Sequence, residues 1–474
     1  MPTGGAPARP RAVGVISLGC PKNLIDTEVM LGLLQEAGFR IVSDVNEADV
    51  LLVNTCCFIQ PARDEAAEAL DEGTAWHQAG EGRILICAGC WPEMQAEELR
   101  VRFPEIDAFM GPGDVPHIAD IVEQALAGAG PTMPTERPPY LYSHTTARIC
   151  VTPPWMSYVK IADGCDHRCR FCLIPRLRGP FRSRSLASIV QEAQTLAKRG
   201  VREINLVAQD TTAYGSDTGE ADVADLLAAL SSVEELHWIR LLYAFPTYVD
   251  DRLIEVMARE KRICQYIDIP FQHADREVLR RMGRPGDGKG YLSLIERLRT
   301  AMPDIAIRST FLVGFPGEGE EEFRRLLEFL ERAQLDRAGA FPFSSERGTP
   351  AAQMGDQIPV EETQQRFHEL MMLQQRISLE RNQRWIGREL DVLIETRGEQ
   401  AGDWIGRSFR DAPEIDGAVI INSLGRPLQP GQYVQTTIRA AEPYDLIADV
   451  NDTPKKRRPA RALSRRSSGR GKRR

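Results

Sequence analysis

Three of the chain's ten cysteines lie within eight residues, in the stretch DGCDHRCRFCLIP at residues 163–175. Their spacing is Cys165-x3-Cys169-x2-Cys172, directly after a strand-like run. Three thiolates on one tight loop can hold three irons of a cubane cluster, and the fourth iron then lacks a protein ligand. A small molecule can bind at such a vacancy, as it does at catalytic metals. A zinc knuckle with His167 as fourth ligand and a chance clustering of cysteines are the alternatives for the same loop.

Three more cysteines, Cys20, Cys56 and Cys90, follow the apolar runs VGVISLG, VLLVNT and ILICAG. Each run predicts a buried strand, so each cysteine lies just past a carboxyl end of a parallel strand. Ligands collect at that edge of open α/β sheets, and we expect the three thiols to converge there. Isolated cysteines are more often small core residues, which is the interpretation of Cys87, Cys150 and Cys264.

The elements that must position these cysteines are apolar strands alternating with amphipathic helices, which predicts the α/β class. The first part predicts a doubly wound parallel sheet, the central part a full or partial β/α barrel, and the last part a small antiparallel β-barrel. The predicted division is a disordered lead at 1–11, the sheet domain at 12–127, a Pro-rich linker at 128–150, the β/α barrel at 151–380, the small barrel at 381–450 and a basic disordered tail at 451–474.

Charge is distributed unevenly over the 474 residues. The net charge is −8, but residues 455–474 hold eleven Lys or Arg and no acidic residue, so the remaining chain carries about −19. Such a body does not resemble a general nucleic-acid binder and would attract basic partners. The tail is either a solvated segment without a specific role or a loose RNA-binding arm.

Other bulk features point to the cytoplasm. No apolar run reaches the ~18 residues of a membrane span, and the N-terminus shows no signal-peptide pattern. Ten cysteines without a secretory signal indicate reduced thiols or metal ligands. We therefore expect a cytoplasmic protein without membrane contact.

The cysteine motif, with Phe171 before its last cysteine, resembles the radical S-adenosylmethionine superfamily. The resemblance implies a 4Fe-4S cluster whose open iron binds the amino and carboxylate groups of S-adenosylmethionine, which is reductively cleaved to a 5′-deoxyadenosyl radical. Segments VAQDTTAYG, YIDIPFQH and TFLVGFPGE end later strands on the same face. The expected cofactor-binding residues are Phe171, Gln209, Asp210, Gln272, His273, Gly314 and Gly317. Tight turns at the two glycines and a capping role for His273 are the alternatives.

The motifs LGCPKN, VNTC and GC around the dispersed cysteines are similar to the methylthiotransferase family, over about residues 12–448. This resemblance implies an auxiliary 4Fe-4S cluster on Cys20, Cys56 and Cys90, and a C-terminal barrel of the TRAM type. The family's usual residue after the second of these cysteines is glycine, so Cys57 is a departure. One S-adenosylmethionine would donate its methyl group to a sulfide on the auxiliary cluster, and a second would supply the radical.

Two substrate classes are known for that family: transfer-RNA adenosines, and an aspartate of ribosomal protein uS12. The opening SLGCPKNLIDTEVMLG and the segment RSFRDAPEIDG at 407–417 are similar to the ribosomal-protein type, whereas the tRNA enzymes read closer to T-x-GCQMN. Residues 381–450 hold eight Arg and eleven Asp or Glu. An RNA-binding barrel should be basic, so this acidic balance favours the protein substrate.

The expected substrate is therefore the Cβ of the uS12 aspartate, with uS12 docked on the acidic barrel. The expected electron donor is a low-potential protein such as flavodoxin or ferredoxin, and the basic tail is a candidate for RNA or ribosome contact. A tRNA adenosine methylthiotransferase and a non-catalytic iron–sulfur redox or scaffold protein remain as alternatives.

Overall fold

The computed structural model describes residues 10–135, 140–400 and 402–451. The predicted N-terminal lead lies outside these residues except for positions 10–11, and the basic tail except for position 451. In the described ranges, no helix combines the length and apolar character that a membrane span requires.

The N-terminal part is a parallel sheet flanked by helices, as the sequence predicts. In the described residues its strands follow the order β2-β1-β3-β4-β5. Strands β3 and β4 are buried at every position, which explains why their sequences are continuous apolar runs. The elements are β1 Ala12–Ser17, α1 Pro21–Glu36, β2 Arg40–Ile41, β3 Val50–Thr55, α2 Gln60–Gln78, β4 Ile84–Gly89, α3 Cys90–Arg102, β5 Ala108–Met110 and α4 Ile118–Leu126, with 3-10 turns at Val45–Glu47 and Pro112–His117.

The central part is an open β/α barrel of parallel strands, in the order β13-β12-β11-β10-β9-β6 among the described residues. A short hairpin, β7 with β8, carries the chain out of and back to the barrel. The elements are β6 Met156–Lys160, β7 Ala162–Asp163, α5 Ile174–Arg178, β8 Arg182–Ser183, α6 Leu186–Lys198, β9 Glu203–Val207, α7 Val223–Leu230, β10 Trp238–Leu241, α8 Asp251–Arg259, β11 Ile263–Asp268, α9 Arg276–Met282, α10 Gly288–Ala301, β12 Ala306–Val313, α11 Glu320–Ala333 and β13 Arg337–Pro342, with 3-10 turns at Pro246–Tyr248 and Pro350–Gln353.

A long helix, α12 Val360–Gln383, leads into the closed C-terminal barrel. Its strands within the described chain are β14 Glu389–Arg397, β15 Asp403–Ser408, β16 Val419–Asn422, β17 Tyr433–Ala441 and β18 Leu446–Val450. The predicted antiparallel arrangement is corrected at one pair, since β16 and β18 run parallel. Strand direction cannot alternate all the way round a closed barrel with an odd number of strands, so one parallel pair is unavoidable.

The open side of the central barrel is covered by its neighbours. Helix α1 packs against β6, and its buried residues share a core with inward-facing residues of the barrel strands. The loop after β15 enters the same concave face, where Arg240 donates to the Phe409 carbonyl (2.6 Å) and the Tyr266 hydroxyl donates to Asp416 (2.7 Å). All three parts of the chain therefore meet at the barrel interior.

Candidate functional site

The first cysteine triad occupies the loop between the β7–β8 hairpin strands. The Cys165 amide donates to the Gly179 carbonyl (3.1 Å) and the Cys172 amide donates to the Cys169 carbonyl (3.1 Å), which folds the loop compactly. All three thiols are free. Burial raises the pKa of Cys165 to about 11 and that of Cys172 to about 12, and the neighbouring thiols of the triad add to both shifts.

Such a donor set fits an iron–sulfur cluster. Thiolates in this partly buried loop require compensating positive charge, which metal binding supplies as it releases the protons. Two donors already point at the sulfurs: the Ile174 amide lies 3.4 Å from the Cys172 Sγ, and Arg284 Nη1 lies 3.6 Å from the Cys169 Sγ. Hydrogen bonds of this kind stabilise cluster thiolates.

His167 is engaged elsewhere than in a zinc knuckle. Its Nε2 lies 2.7 Å from Asp210 Oδ2, and its ring stacks on Phe245 with centroids 3.8 Å apart. Across the described ranges, no three His, Cys, Asp or Glu side chains gather closely enough to hold a single metal ion. A cubane instead distributes its thiolate ligands over separate irons.

The residues predicted at the end of β9 reach the cysteine loop. Gln209 Nε2 donates to Asp163 Oδ1 (2.9 Å), while Gln209 Oε1 is buried without a hydrogen-bond partner. An orphaned acceptor beside the triad fits a ligand that brings an ammonium group. Asp210 accepts from the Thr212 amide (2.9 Å) and contacts His167, so in the structure it braces the loop.

Phe171 lies in the cysteine loop itself, and Gly314 and Gly317 lie in the turn after β12. Phe171 packs edge-to-face on Phe315 with centroids 6.4 Å apart, which joins the cysteine loop to the turn that contains Gly314 and Gly317. An added Cβ would lie 2.2 Å from Thr363 Oγ1 at Gly314 and 2.4 Å from the guanidinium carbon of Arg281 at Gly317. Packing against protein atoms thus accounts for both glycines, and their cofactor role stays a prediction.

Gln272 and His273 follow β11. Gln272 has a φ of 70°, a conformation that non-glycine residues rarely adopt, and it bridges to β12 through backbone hydrogen bonds. The fully buried His273 accepts from the Asp275 amide (2.9 Å) at Nδ1, and its Nε2 lies 3.4 Å from Glu318 Oε2. These contacts are structural, and a cofactor role for either residue stays a prediction.

The second triad converges at the carboxyl edge of the N-terminal sheet. An added Cβ at Gly19 would lie 3.3 Å from the Cys56 Sγ, and the thiols of Cys20 and Cys56 both raise the pKa of Cys90. Burial raises the pKa of Cys56 and takes that of Cys90 to about 11. Burial would also raise the pKa of Cys20, but the nearby Lys22 and Arg178 charges outweigh it and lower that pKa.

Cys57, adjacent to Cys56, contacts the backbone of Cys90. Its Sγ donates to the Cys90 carbonyl (3.2 Å), and its buried side chain packs in the same core cluster as Cys87. The Cys57 thiol is therefore engaged with the backbone, whereas the thiols of Cys56 and Cys20 act on that of Cys90. Cys56 is the member that lies with Cys20 and Cys90.

Known proteins resemble the chain over nearly its whole length. The Radical SAM superfamily matches residues 159–330, the Uncharacterized protein family UPF0004 matches residues 12–111, and the TRAM domain matches residues 386–450. A protein named ribosomal protein uS12 methylthiotransferase RimO, from Heliobacterium modesticaldum, is 47% identical over 93% of this chain and 95% of its own length. One with the same name from Desulforamulus reducens is 46% identical over 93% of this chain and 99% of its own. The chain belongs to the uS12 methylthiotransferase family.

A solved structure shares the fold of most of the chain at low identity. The radical S-adenosylmethionine methyltransferase TsrM from Kitasatospora setae aligns with a TM-score of 0.55 and 15% identity, covering 72% of this chain and 77% of that one. The predicted α/β class and membership of the methylthiotransferase family are both confirmed.

In this family member, a buried ion network joins the two triads, and sequence reasoning missed it. Lys160 Nζ pairs with Asp26 (2.6 Å) and Asp163 (2.8 Å), while Arg178 Nη1 pairs with the same two carboxylates (2.5 and 3.5 Å). Arg178 Nη2 reaches the Cys90 Sγ (3.6 Å), and Asp163 Oδ1 accepts from the amide that precedes Cys165 (2.9 Å). One network of four buried charges therefore contacts both cysteine sites.

In the network, opposite charges compensate the cost of burying each ionised side chain. Burial would raise the pKa of Asp163, but Lys160 and Arg178 hold it well below its usual range. Burial would lower the pKa of Lys160, and the two carboxylates raise it instead. Asp163, Lys160 and Arg178 are therefore charged at neutral pH. A lysine inside the apolar strand SYVKIADG was the available sequence signal, because an unpaired lysine is rarely buried.

Proposed function

We propose that this chain is a radical S-adenosylmethionine methylthiotransferase that installs a methylthio group on Cβ of an aspartate in ribosomal protein uS12. Family membership supports the reaction and the substrate. The observation that carries the proposal is the pair of cysteine triads on either side of one buried ion network, because methylthiolation needs two iron–sulfur sites near one substrate atom.

We assign a 4Fe-4S cluster to each triad: the radical cluster to Cys165, Cys169 and Cys172, and the auxiliary cluster to Cys20, Cys56 and Cys90. When bound, these clusters and two S-adenosylmethionine molecules supply the radical and the methylthio group. An unactivated C–H bond cannot be broken by the acid–base groups of the chain, which is why such a cofactor is required.

The chain's own residues have positioning tasks. Gln209, with its free Oε1 beside the radical triad, is the proposed acceptor for the amino group of S-adenosylmethionine. Arg178 donates toward the Cys90 sulfur and holds the sheet domain on the barrel. Helix α1 and the loop after β15 close the open side of the barrel, which excludes water from the reacting atoms.

The remaining proposed cofactor residues form the rest of the barrel mouth. Asp210 orients the cysteine loop through His167, and Phe171 contacts the turn after β12. The other members proposed to line the cofactor are Gln272, His273, Gly314 and Gly317.

Partner contacts are part of the same proposal. Arg407 and Arg410 of the C-terminal barrel are buried against Glu203 and Asp336 of the central barrel, so these arginines are not available to RNA. This burial supports docking of basic uS12 on the acidic outer face. A flavodoxin- or ferredoxin-type protein is the proposed electron donor, and the cytoplasm, where ribosomal proteins are found, is the proposed location.

The test is mass spectrometry of uS12 after incubation with anaerobically reconstituted enzyme, S-adenosylmethionine and dithionite. We expect a methylthio increment on one aspartate. Cys20→Ala, Cys56→Ala and Cys90→Ala should each retain cleavage of S-adenosylmethionine and lose transfer, whereas Cys165→Ala should lose both. Cys87→Ala, which changes a buried core cysteine, is the matched control.

Three results would overturn the proposal. A methylthio nucleoside in tRNA that disappears from a deletion strain, with unmodified uS12 in the wild type, would favour the tRNA alternative. Reconstituted enzyme that cleaves no S-adenosylmethionine would favour the redox or scaffold alternative. Full transfer by all three auxiliary-triad variants would remove the sulfur site from the sheet domain.

A further inference from the structure

The Lys22 ammonium is buried where the sheet domain meets the barrel. The residue is only 8% exposed, and its Nζ lies 3.4 Å from the centroid of the Tyr243 ring. Tyr243 follows β10 with a φ of 61°, a strained conformation for a non-glycine residue. Strained residues are found where the surroundings hold a side chain in a functional position.

Lys22 forms no ion pair with a carboxylate anywhere in the part of the chain that the structure describes. Lys160, which is also buried, pairs by contrast with both Asp26 and Asp163. Contact with an aromatic ring offsets part of the desolvation free energy of a buried ammonium group. An ion pair is the usual compensation for the rest. The position therefore favours an anionic group that the chain does not supply as a carboxylate.

Charged neighbours do not fill this role. Asp268, a carboxylate that contacts Tyr243, is engaged with Arg308 (2.8 Å) and accepts from the Tyr243 amide (3.2 Å). Arg178, on the other side, adds a second positive charge near Lys22. The thiol of Cys20 lies close to Lys22, so a cluster bound there is the competing counter-charge.

We propose that Lys22 binds the side-chain carboxylate of the target aspartate, an inference that rests on the proposed function. The Cβ of an aspartate is bonded directly to its carboxylate carbon, so bringing Cβ to the auxiliary triad brings the negative charge there as well. A cluster on three thiolates is itself anionic and would repel that carboxylate. A buried cation between the two removes the repulsion and fixes the orientation of Cβ.

The same residue separates the substrate classes. An adenine base carries no negative charge, so an enzyme acting on it gains nothing from a buried ammonium at this place. Methionine is a flexible side chain of similar length without charge, which makes Lys22→Met the informative substitution.

The experiment measures binding without turnover, using reconstituted enzyme that holds both clusters but no S-adenosylmethionine. Anaerobic titration calorimetry compares full-length uS12 with uS12 whose target aspartate is replaced by asparagine. We expect wild-type enzyme to bind the aspartate form at least about thirtyfold more tightly, as for a buried charge pair. Lys22→Met should bind both forms equally, Lys22→Arg should keep part of the preference, and Lys198→Met, at an exposed lysine of α6, should match wild type.

Equal binding of the two uS12 forms by wild-type enzyme would overturn the inference without any variant. Preserved discrimination in Lys22→Met would do the same. If that variant instead weakens both forms by one factor and changes the iron content or cluster absorption, Lys22 only balances the charge of the cluster. Failure of the proposed function is seen separately, as a missing methylthio increment with wild-type enzyme.

Discussion

Replacing Arg178 with methionine tests whether the buried network holds the sheet domain on the barrel. The guanidinium pairs with Asp26 and Asp163 and is almost fully buried. In Arg178→Met, Lys160 alone must compensate two buried carboxylates. Removing one partner from a buried ion cluster costs about 3–5 kcal/mol, and because Lys160 remains we expect about 3 kcal/mol.

That free energy predicts a local effect that hydrogen exchange can measure. About 3 kcal/mol corresponds to a rise of more than about a hundredfold in the population of the opened state. Amides of α1 and α5, which carry Asp26 and Arg178, should exchange faster by that factor. The strands of the C-terminal barrel should be unchanged and serve as an internal reference.

Arg252→Met is the matched control. Arg252 also contacts two aspartates, Asp222 and Asp225, but its side chain is 51% exposed. Exposed pairs contribute about 0–1 kcal/mol, so exchange near α7 and α8 should change only a few-fold. Exchange in α1 of Arg178→Met that rises by less than about threefold, or an equal rise in all parts of the chain, would refute the reasoning.

Three further predictions concern single residues. Cys56→Ala should lose about half of the reconstituted iron while Cys57→Ala keeps all of it, measured by iron and sulfide analysis; equal loss in both would contradict the assignment. Burial would raise the pKa of Glu203, but Arg407 and Arg240 hold it below its usual range. The contribution of Glu203 to folding stability is therefore present above about pH 4.3 and is lost as the pH falls through the lower pKa of the folded state. Tryptophan fluorescence should show that Glu203→Gln is loosened already at pH 7 and changes less in acid than wild type. Gly283→Ala places a Cβ 2.6 Å from a carbonyl of the cysteine loop and should lower the iron content of the radical site, whereas Gly200→Ala, also at positive φ but with open space, should not.

Convergence of the dispersed cysteines could be anticipated from the sequence because it depends on one local rule. Apolar runs mark buried strands, and the carboxyl ends of parallel strands share an edge. Cys20, Cys56 and Cys90 each follow such a run, and the structure brings them together. The orientation of Cys57 could not be read in the same way, because one residue beyond a strand the backbone direction depends on the following turn.

The ion network between the sheet domain and the central barrel could not be predicted from the sequence, for a physical reason. Asp26 lies on α1 and Arg178 on α5, and no periodicity relates positions separated by 152 residues. Their pairing depends on how two separately patterned units dock, which is set by tertiary contacts. The parallel β16–β18 pair was missed for a similar reason, since closure of the barrel is a property of all its strands together.

Docking of the two domains also decides which part of the chain controls the auxiliary triad. Cys20, Cys56 and Cys90 all belong to the sheet domain. The Arg178 guanidinium that donates toward the Cys90 sulfur comes instead from the central β/α barrel, nine residues after Cys169. A sheet domain that folded alone would keep its three thiols and lose that donor, and Asp26 would lose both of its partners, Lys160 and Arg178. Charge and hydrogen bonds around the sulfurs set the properties of an iron–sulfur cluster. The proposed sulfur site is therefore complete only when the central β/α barrel is docked on the sheet domain. The function of the auxiliary triad thus depends on the position of the domain that carries the other triad.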